Sequence, residues 1–485
     1  MEKIFLLVCI LLFSNNYTKA QTILNMDGAL EIAEVNSPTI IKSKLNLERS
    51  KESLNAQNAA LKSKFNLSIT PFEYSKDRVF NDYFSQWNTN ETKRSSGTFS
   101  ISQPLKWTDG TLSLIDRFSW QDAFSEFNND NEKSFSNNLY LSYDQPLFTY
   151  NRTMLELKEL EYDLENATLS YEMQKLNLRK NVTQAFYDVY QKQQSMEISQ
   201  EEYNSQKKNY DITINKVDAG ILAREELYQA ELNMLNSDAE LKTNKVQLEN
   251  ALDDFKQLIG MPLDEEITIV TDITFNPIMV DLKKASEYGL NNRMELRQRE
   301  IDIEASQFNI IRTSSINEFK GNLSLSVGII GTDEKLAKIY DTPTNNQQFA
   351  VTFDVPLWDW GESDARIKAA EASLKSSQVS FEDEKISILK SIRSVYRNLN
   401  NLEMQIDISE KSVRNAELAY EINLERYKNG DLTSIDLDIF QNQLSQTKLN
   451  RISALLNYKI ELLNLKIQSL WDFEHEIPVL KKFDK

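Results

Sequence analysis

The residues Asp-Gln-Pro-Leu-Phe at 144–148 recur as Asp-Val-Pro-Leu-Trp at 354–358, after a shift of 210 positions. In both copies a glycine follows the proline at a distance of 74 positions, at Gly220 and at Gly430. This identical, gap-free spacing indicates an internal repeat. Because repeated helical units usually stack side by side, we predict one architecture built from two related halves.

Long segments without glycine or proline organise both halves, which we place at 21–260 and 261–485. Both residue types are absent from 147–219, 221–259, 362–429 and 431–477. Such stretches favour helices. We therefore predict long helices at 147–219 and 359–429, and return helices at 222–259 and 433–470. A helix of about seventy residues extends on the order of 100 Å, so a coiled coil or a helical tube is expected.

The apolar residues of the long segments are spaced like those of packed helices. Leu157, Leu160 and Leu164 step by three and four positions. This is a heptad-like seam. Aromatic and small residues interrupt the seam elsewhere, which favours helices with two neighbours over a two-stranded zipper.

Before each long helix, apolar and polar residues alternate, which is the two-residue period of a strand. We predict strands within 65–146 and 321–357, and helices at 39–64 and 295–319 before them. The apolar positions of six candidate strands are Phe65/Leu67/Ile69, Phe99/Ile101, Leu112/Leu114/Phe118/Trp120, Leu139/Leu141/Tyr143, Leu323/Leu325/Val327/Ile329 and Phe349/Val351/Phe353/Val355. Strands of about 9–11 residues have the length of membrane-spanning β-strands. A soluble β-sandwich with one solvent-exposed face on each sheet would show the same alternation.

The connections between these strands differ in length. Polar linkers are predicted at 75–96, 121–136 and 331–346, whereas the link from Lys106 to Gly110 is short. Short turns on one side and long loops on the other are typical of outer-membrane barrels.

The first twenty residues have the pattern of a secretory signal. Lys3 precedes an apolar run from Ile4 to Phe13, and Thr18-Lys19-Ala20 resembles a cleavage site. The only cysteine, Cys9, lies inside this run, and Val8 fits poorly before a lipoprotein acceptor. Cleavage at this site would leave a mature chain without thiols, so we expect neither disulfides nor cysteine-based metal sites.

Charge and composition argue against several classes of function. The formal net charge of −18 becomes −19 after the signal is removed, which argues against nucleic acid as a partner. His475 is the only histidine, and no glycine-rich phosphate loop follows a strand. We therefore expect no enzyme, no catalytic residue, no cofactor and no metal, although a carboxylate-based hydrolase stays open.

Two groups of residues resemble the TolC-type outer-membrane factors of bacterial efflux and type I secretion. One is the strand-to-helix passage around Pro146 and Pro356. The other is Glu425-Arg426-Tyr427-Lys428-Asn429-Gly430, followed by Asp436-Leu437 and Gln441-Asn442-Gln443-Leu444. Family members carry a similar Arg-Tyr-x-x-Gly turn with an acidic residue six positions later. The first copy, Lys216 to Gly220, lacks the Arg-Tyr pair but keeps Glu226 at the acidic position.

The resemblance implies an α+β membrane protein with a β-barrel in the outer membrane of a Gram-negative bacterium. A long α-helical barrel would reach into the periplasm, and the family forms homotrimers. The implied function is an exit duct that works with a periplasmic adaptor protein and an inner-membrane pump. A trimeric coiled-coil stalk or an adaptor-like envelope protein is the alternative, although adaptors have one helical hairpin where this chain has two.

The resemblance also assigns candidate site residues. Gly220, Gly430, Arg426 and Tyr427 would form the periplasmic tip that docks an adaptor. An acidic ring at the entrance would be formed by Glu226, Asp436 and Asp438. The ordinary alternatives are C-cap glycines and first-turn acids favoured by the helix dipole.

The strand number departs from the family pattern, which has four strands in each subunit. The additional pair lies at 97–120, and Gln103-Pro104-Leu105 copies the strand-end motif Gln145-Pro146-Leu147. Either the barrel is larger, or this hairpin folds into the lumen or onto the rim. We expect the additional strands to join the wall. Six strands cannot close even a small barrel of about eight, so the chain must oligomerise if it forms one.

Overall fold

The computed structural model describes residues 22–127, 130–271 and 273–479. The predicted signal at 1–20 and the last six residues of the C-terminal tail lie outside these ranges. The chain divides into two compact units. The sheet unit comprises 47–168 and 298–381, and the helical unit comprises 169–297, 382–479 and the residues before 47.

Six antiparallel strands form one continuous sheet, in which they follow one another in the order of the chain. The strands are β2 (Lys64–Asn81), β3 (Gln86–Leu105), β4 (Gly110–Ser125), β5 (Asp130–Leu147), β7 (Lys320–Asp333) and β8 (Thr344–Asp354). The additional hairpin predicted at 97–120 is therefore part of the sheet, as β3 and β4. Strands β2 and β8 lie at the two edges and each pairs with one neighbour.

The first four strands run for 16–20 residues, longer than the 9–11 predicted. The prediction of long loops at 75–96 and 121–136 was wrong, because these polar segments belong mostly to the ladders of β2 with β3 and of β4 with β5. Cross-strand ion pairs stabilise the extensions, such as Lys76 to Glu91 at 2.6 Å. A longer connection remains between β7 and β8, where Leu336–Lys338 forms a 3₁₀ turn.

The register places the predicted apolar residues on one face of the sheet. Ile101 lies opposite Leu114, Leu114 opposite Leu141, and Leu141 opposite Val327. Many of these side chains are exposed in the isolated chain, as Leu67 is at 65%. An exposed apolar face that extends across several strands indicates contact with lipid or with another protein.

Asp116 lies among the apolar residues of this face. Asp116 lies opposite Phe99 on one neighbouring strand and Leu139 on the other. Its carboxylate accepts a hydrogen bond from the Asn137 side-chain amide at 2.7 Å. Pairing of this kind lowers the cost of a polar group among apolar neighbours.

Two helical hairpins of nearly equal dimensions follow the sheet strands. The first consists of α3 (Arg152–Asp218, 67 residues) and α4 (Arg224–Ile259, 36 residues). The second consists of α7 (Glu362–Asn429, 68 residues) and α8 (Ser434–Ser469, 36 residues). Helices α2 (Pro38–Ala60) and α6 (Met294–Ser314) lead into β2 and β7.

Several predicted boundaries were wrong by a few residues, and caps account for the main differences. The long helices begin at Arg152 and Glu362, because Asn151 and Asp359 act as caps before them. The return helix α8 begins after Thr433, whose hydroxyl accepts from the Asp436 amide. Helices α2 and α6 end before 64 and 319, because the chain turns there to enter the strands.

The helical unit has elements that the periodicity did not predict. They are β1 (Thr22–Leu24), α1 (Met26–Asn36), β6 (Ile267–Ile269), α5 (Leu282–Asn292), β9 (Trp471–Asp472) and β10 (Ile477–Pro478). Strand β1 pairs with β6 in parallel. Beside this pair, Val182 and Phe186 of α3 pack against Phe255 of α4 in a closed apolar core. In the second hairpin, Leu399 of α7 and Tyr458 and Leu465 of α8 form a corresponding cluster.

Among the described residues, no helix is long and apolar enough to cross a membrane.

Candidate functional site

The two hairpin turns share one backbone geometry. Gly220 and Gly430 adopt φ values of +72° and +88°, in the left-handed region that favours glycine. The amide after each glycine donates to the carbonyl five residues earlier, from Ile221 to Lys216 and from Asp431 to Arg426. This is a Schellman cap at both turns. A Cβ on either glycine would meet open space, so φ alone requires glycine there.

Tyr427 connects the second hairpin to the first. Its side chain is 1% exposed, and its hydroxyl forms a short hydrogen bond with the Thr213 hydroxyl of α3. The Lys216 ammonium donates to the Tyr427 carbonyl at 2.6 Å and lies 5.1 Å from the centre of its ring. Burial raises the pKa of the Tyr427 hydroxyl. The end of α3 therefore holds the last turn of α7 through Lys216, which lies 210 positions before Arg426.

Glu226 and Asp436 occupy matched positions but have different partners. The Glu226 carboxylate crosses to the other hairpin and accepts from the Ser434 backbone amide at 3.1 Å. It therefore caps α8 at its positive end. Asp436 lies within its own first turn, where its amide donates to the Thr433 hydroxyl and its carboxylate accepts from that hydroxyl at 2.8 Å. Asp436 is exposed, whereas Glu226 is half-buried.

Asp438 lies between the hairpins. Its carboxylate accepts from the Gln206 side chain of α3 at 2.5 Å and from Asn442 at 3.0 Å. Burial raises the pKa of this carboxyl. Farther along the same contact, Glu202 accepts from the Ser445 hydroxyl at 2.7 Å, and burial raises the pKa of Glu202. Two acids with raised pKa values thus lie where α3 meets α8.

The structure brings together three of the seven tip candidates. Glu226, Tyr427 and Asp438 join the hairpins within one chain. Arg426 is exposed and donates to Asn423 one turn earlier at 3.2 Å. Sequence reasoning missed the partners of these residues on the first hairpin: Glu202, Gln206, Thr213 and Lys216. The 210-residue shift aligns Lys216 with Arg426, which was the available signal for one of them.

The first strand-to-helix passage, at Pro146, is fastened by the additional hairpin. Pro146 lies at the end of β5, opposite Asn322. The turn between β3 and β4 holds Asp109, whose carboxylate accepts from the amides of Arg152 and Thr153 at 3.3 and 3.1 Å. The Asn151 side chain donates in return to two carbonyls of the same turn. The start of α3 is thus capped by residues about forty positions earlier.

The second passage, at Pro356, is capped locally. Asp359 accepts from the amides of Gly361 and Ser363, each at 3.0 Å. These hydrogen bonds lower the pKa of its carboxyl. Trp358 and Trp360 beside it are more than 70% exposed. Exposed aromatic residues at the ends of membrane strands lie at the lipid–water interface in outer-membrane barrels.

Three side chains of kinds that can bind a metal ion lie close together near the end of the described chain. The ligand atoms of Asp472, Glu474 and His475 lie within 4.8 Å of one another. Asp472 already accepts from the amides of Glu474 and His475 and pairs with Lys466 at 3.2 Å. These contacts stabilise a turn. A cation bound by Asp472 would have to break them.

The family model described as "Outer membrane efflux protein" matches residues 29–261 and 288–467. These segments include the whole sheet, the helices α3, α4 and α7, and α8 as far as residue 467.

The chain belongs to the outer membrane efflux protein family.

Two curated relatives are consistent with that membership. Outer membrane protein TolC of Salmonella enteritidis is 22% identical over 364 residues, which cover 73% of each chain. Nodulation protein T of Rhizobium leguminosarum bv. viciae is 21% identical over 60% of each chain. The solved Campylobacter jejuni CmeC outer membrane channel has a TM-score of 0.71 at 14% identity, covering 94% of this chain and 87% of that one. This outer membrane efflux protein is therefore an outer-membrane channel for efflux or secretion, as the resemblance implied. The stalk and adaptor alternatives are not favoured.

Proposed function

We propose that three copies of this outer membrane efflux protein join through their sheet edges into one closed duct. The observation that carries the proposal is the sheet itself. It has six strands, two edges with one partner each, and an exposed apolar face. Open edges are unstable in lipid, because unpaired backbone groups cannot bond to water there. Joining β8 of one copy to β2 of the next would remove every open edge.

In this proposal the two hairpins of each copy line the periplasmic part of the duct. The trimer therefore ends in six hairpin turns. The exposed residues around Gly220, Gly430 and Arg426 form the surface for a periplasmic adaptor, which in turn engages an inner-membrane pump. The turns suit docking, because their Schellman caps give them a fixed backbone and leave the side chains exposed.

The same tips supply a gate. Tyr427, Lys216 and Glu226 hold the second hairpin against the first in each copy. Opening requires these contacts to break, and Asp436 then contributes three exposed carboxylates around the entrance. Glu226 adds to this ring when it leaves the Ser434 amide.

The test is purification of the full chain in detergent, followed by mass measurement and recording in planar bilayers. A trimer that conducts ions is expected. A detergent-free monomer, or a trimer that never conducts, would overturn the proposed assembly.

A further inference from the structure

The β3–β4 hairpin has no counterpart in the second half of the chain. Between α2 and α3 the chain forms four strands, whereas between α6 and α7 it forms two. The hairpin is inserted between β2 and β5. Its ladder to β5 is continuous, and its ladder to β2 is interrupted only by a bulge between Thr70 and Glu73. The additional strands are therefore part of the wall and change how many strands each copy contributes.

The strand number sets the perimeter of a closed barrel. Three copies of six strands give eighteen, which at about 4.8 Å spacing and about 40° tilt need a perimeter of about 110 Å. Without the hairpin there would be twelve strands and a perimeter of about 75 Å. The corresponding backbone radii are about 18 Å and about 12 Å.

The helices next to the sheet set a second perimeter. Four helices in each copy, α2, α3, α6 and α7, connect directly to sheet strands. Twelve helices in a trimer, spaced about 9–10 Å apart, need a perimeter of about 110–120 Å. An eighteen-stranded barrel has a perimeter of about the same length.

The face of the sheet opposite the apolar one is made mainly of small polar side chains. It carries Ser100, Ser102, Ser113, Ser119, Ser142 and Ser324, among others. Short side chains of this kind cannot fill the interior of an eighteen-stranded barrel. Barrels of 16–18 strands hold an aqueous channel.

We infer that the β3–β4 hairpin widens the outer-membrane exit beyond that of a twelve-stranded barrel and so determines the size of cargo that can leave. The inference rests on the proposed trimer. Allowing about 5 Å for side chains, the eighteen-stranded bore is about 25 Å across and the twelve-stranded bore about 15 Å. The exit therefore admits solutes of wider cross-section than a twelve-stranded barrel would.

A distance measurement on the intact channel tests the radius. Cys9 is the only cysteine and lies in the predicted signal, so Leu141→Cys places one spin label on the lipid-facing side of β5 in each copy. With the label about 7 Å outside the backbone, eighteen strands give about 43 Å between labels and twelve about 33 Å. A trimer with the shorter distance would overturn the inference, whereas the absence of any distance would overturn the trimer.

A deletion tests the consequence for cargo. Removing residues 86–125 joins β2 to β5 through an eight-residue loop, and Thr149→Asp replaces the lost Asp109 cap with a local one, as at Asp359. Polyethylene glycols added on the extracellular side should enter the intact pore up to a radius of about 12 Å, but the deletion variant only up to about 7 Å. The full chain with Thr149→Asp should behave like the parent. An unchanged cut-off in a trimeric, conducting deletion variant would show that the hairpin does not set the exit width.

Discussion

Asp109 accepts hydrogen bonds from both the backbone amide and the hydroxyl of Thr153, at 3.1 and 2.5 Å. The two residues belong to different elements, a strand turn and the first turn of α3. In the second half of the chain Asp359 performs the same capping from within its own segment. Together with Asn151, the inserted hairpin therefore caps a passage that is capped only locally in the second half, and losing its turn should loosen the start of α3.

Asp109→Ala should destabilise the start of α3 by about 1–2 kcal/mol, the usual cost of losing an N-terminal cap. Hydrogen exchange at the amides of Arg152 and Thr153 should become faster. Adding Thr149→Asp should restore protection, because it recreates the Asp359 arrangement. Asp341→Ala, at an exposed loop position, serves as the control. Equal protection in Asp109→Ala and the parent would contradict the capping role.

Tyr427→Phe and Lys216→Met should each raise the single-channel conductance at neutral pH. The first change removes the hydrogen bond to Thr213, and the second removes the bond to the Tyr427 carbonyl. Both changes weaken the contact that holds the second hairpin against the first. Lys208→Met, an exposed change on the same helix, should leave conductance as it is. If all three variants behave alike, the contact does not restrict the pore.

Asp436→Asn combined with Glu226→Gln should lower cation selectivity and weaken block by trivalent cations. A ring of carboxylates at a narrow opening concentrates multivalent cations, because low-dielectric walls focus the field. The amide at 226 keeps an acceptor for the Ser434 amide, so the closed contact survives. Asp407→Asn, at an exposed mid-helix position paired with Lys411, is the matched control. Equal loss from both sites would mean that overall acidity, and no ring, sets selectivity.

The two faces of β3 and β4 should react differently with thiol reagents. Single cysteines at Phe99, Ile101 or Leu114 lie on the apolar face and should be protected by lipid. Cysteines at Ser100 and Ser113 lie on the opposite face and should react with water-soluble reagents. Labelling in outer-membrane fractions measures this, and uniform reactivity would place the hairpin outside the wall.

The sequence predicted the features that depend on local signals. Absence of glycine and proline located the hairpins, the positive φ at Gly220 and Gly430 explains their turns, and two-residue alternation assigned the strand faces. It did not predict features that depend on distant contacts. The cap at Asp109 and the polar pair of Lys76 with Glu91 join positions that only folding brings together. The outer parts of the long strands are largely polar on both faces and give no apolar period, so the sequence predicted loops there.

The last prediction concerns acid. Burial raises the pKa of Glu202, and the carboxylates of Glu240 and Asp438 act in the same direction; burial also raises the pKa of Asp438. Between the ordinary value of each carboxyl and its raised value, the packed hairpins bind more protons than separated ones. Lowering the pH through that window therefore favours the packed state, and raising it favours separation. Conductance should fall as the solution is acidified toward about pH 4.5, near the ordinary carboxyl values.

Glu202→Gln with Asp438→Asn should remove most of this pH dependence in planar bilayers. The amides keep acceptors for Ser445 and Gln206 but cannot titrate, so packing is retained while the proton linkage is lost. Glu201 is the matched control, because it is exposed and pairs with Lys448 at 2.9 Å beside the same contact. Its change to Gln should leave the acid response in place. A double variant that closes in acid as the parent does would assign the response to other carboxylates, and the buried pair would then have no part in gating.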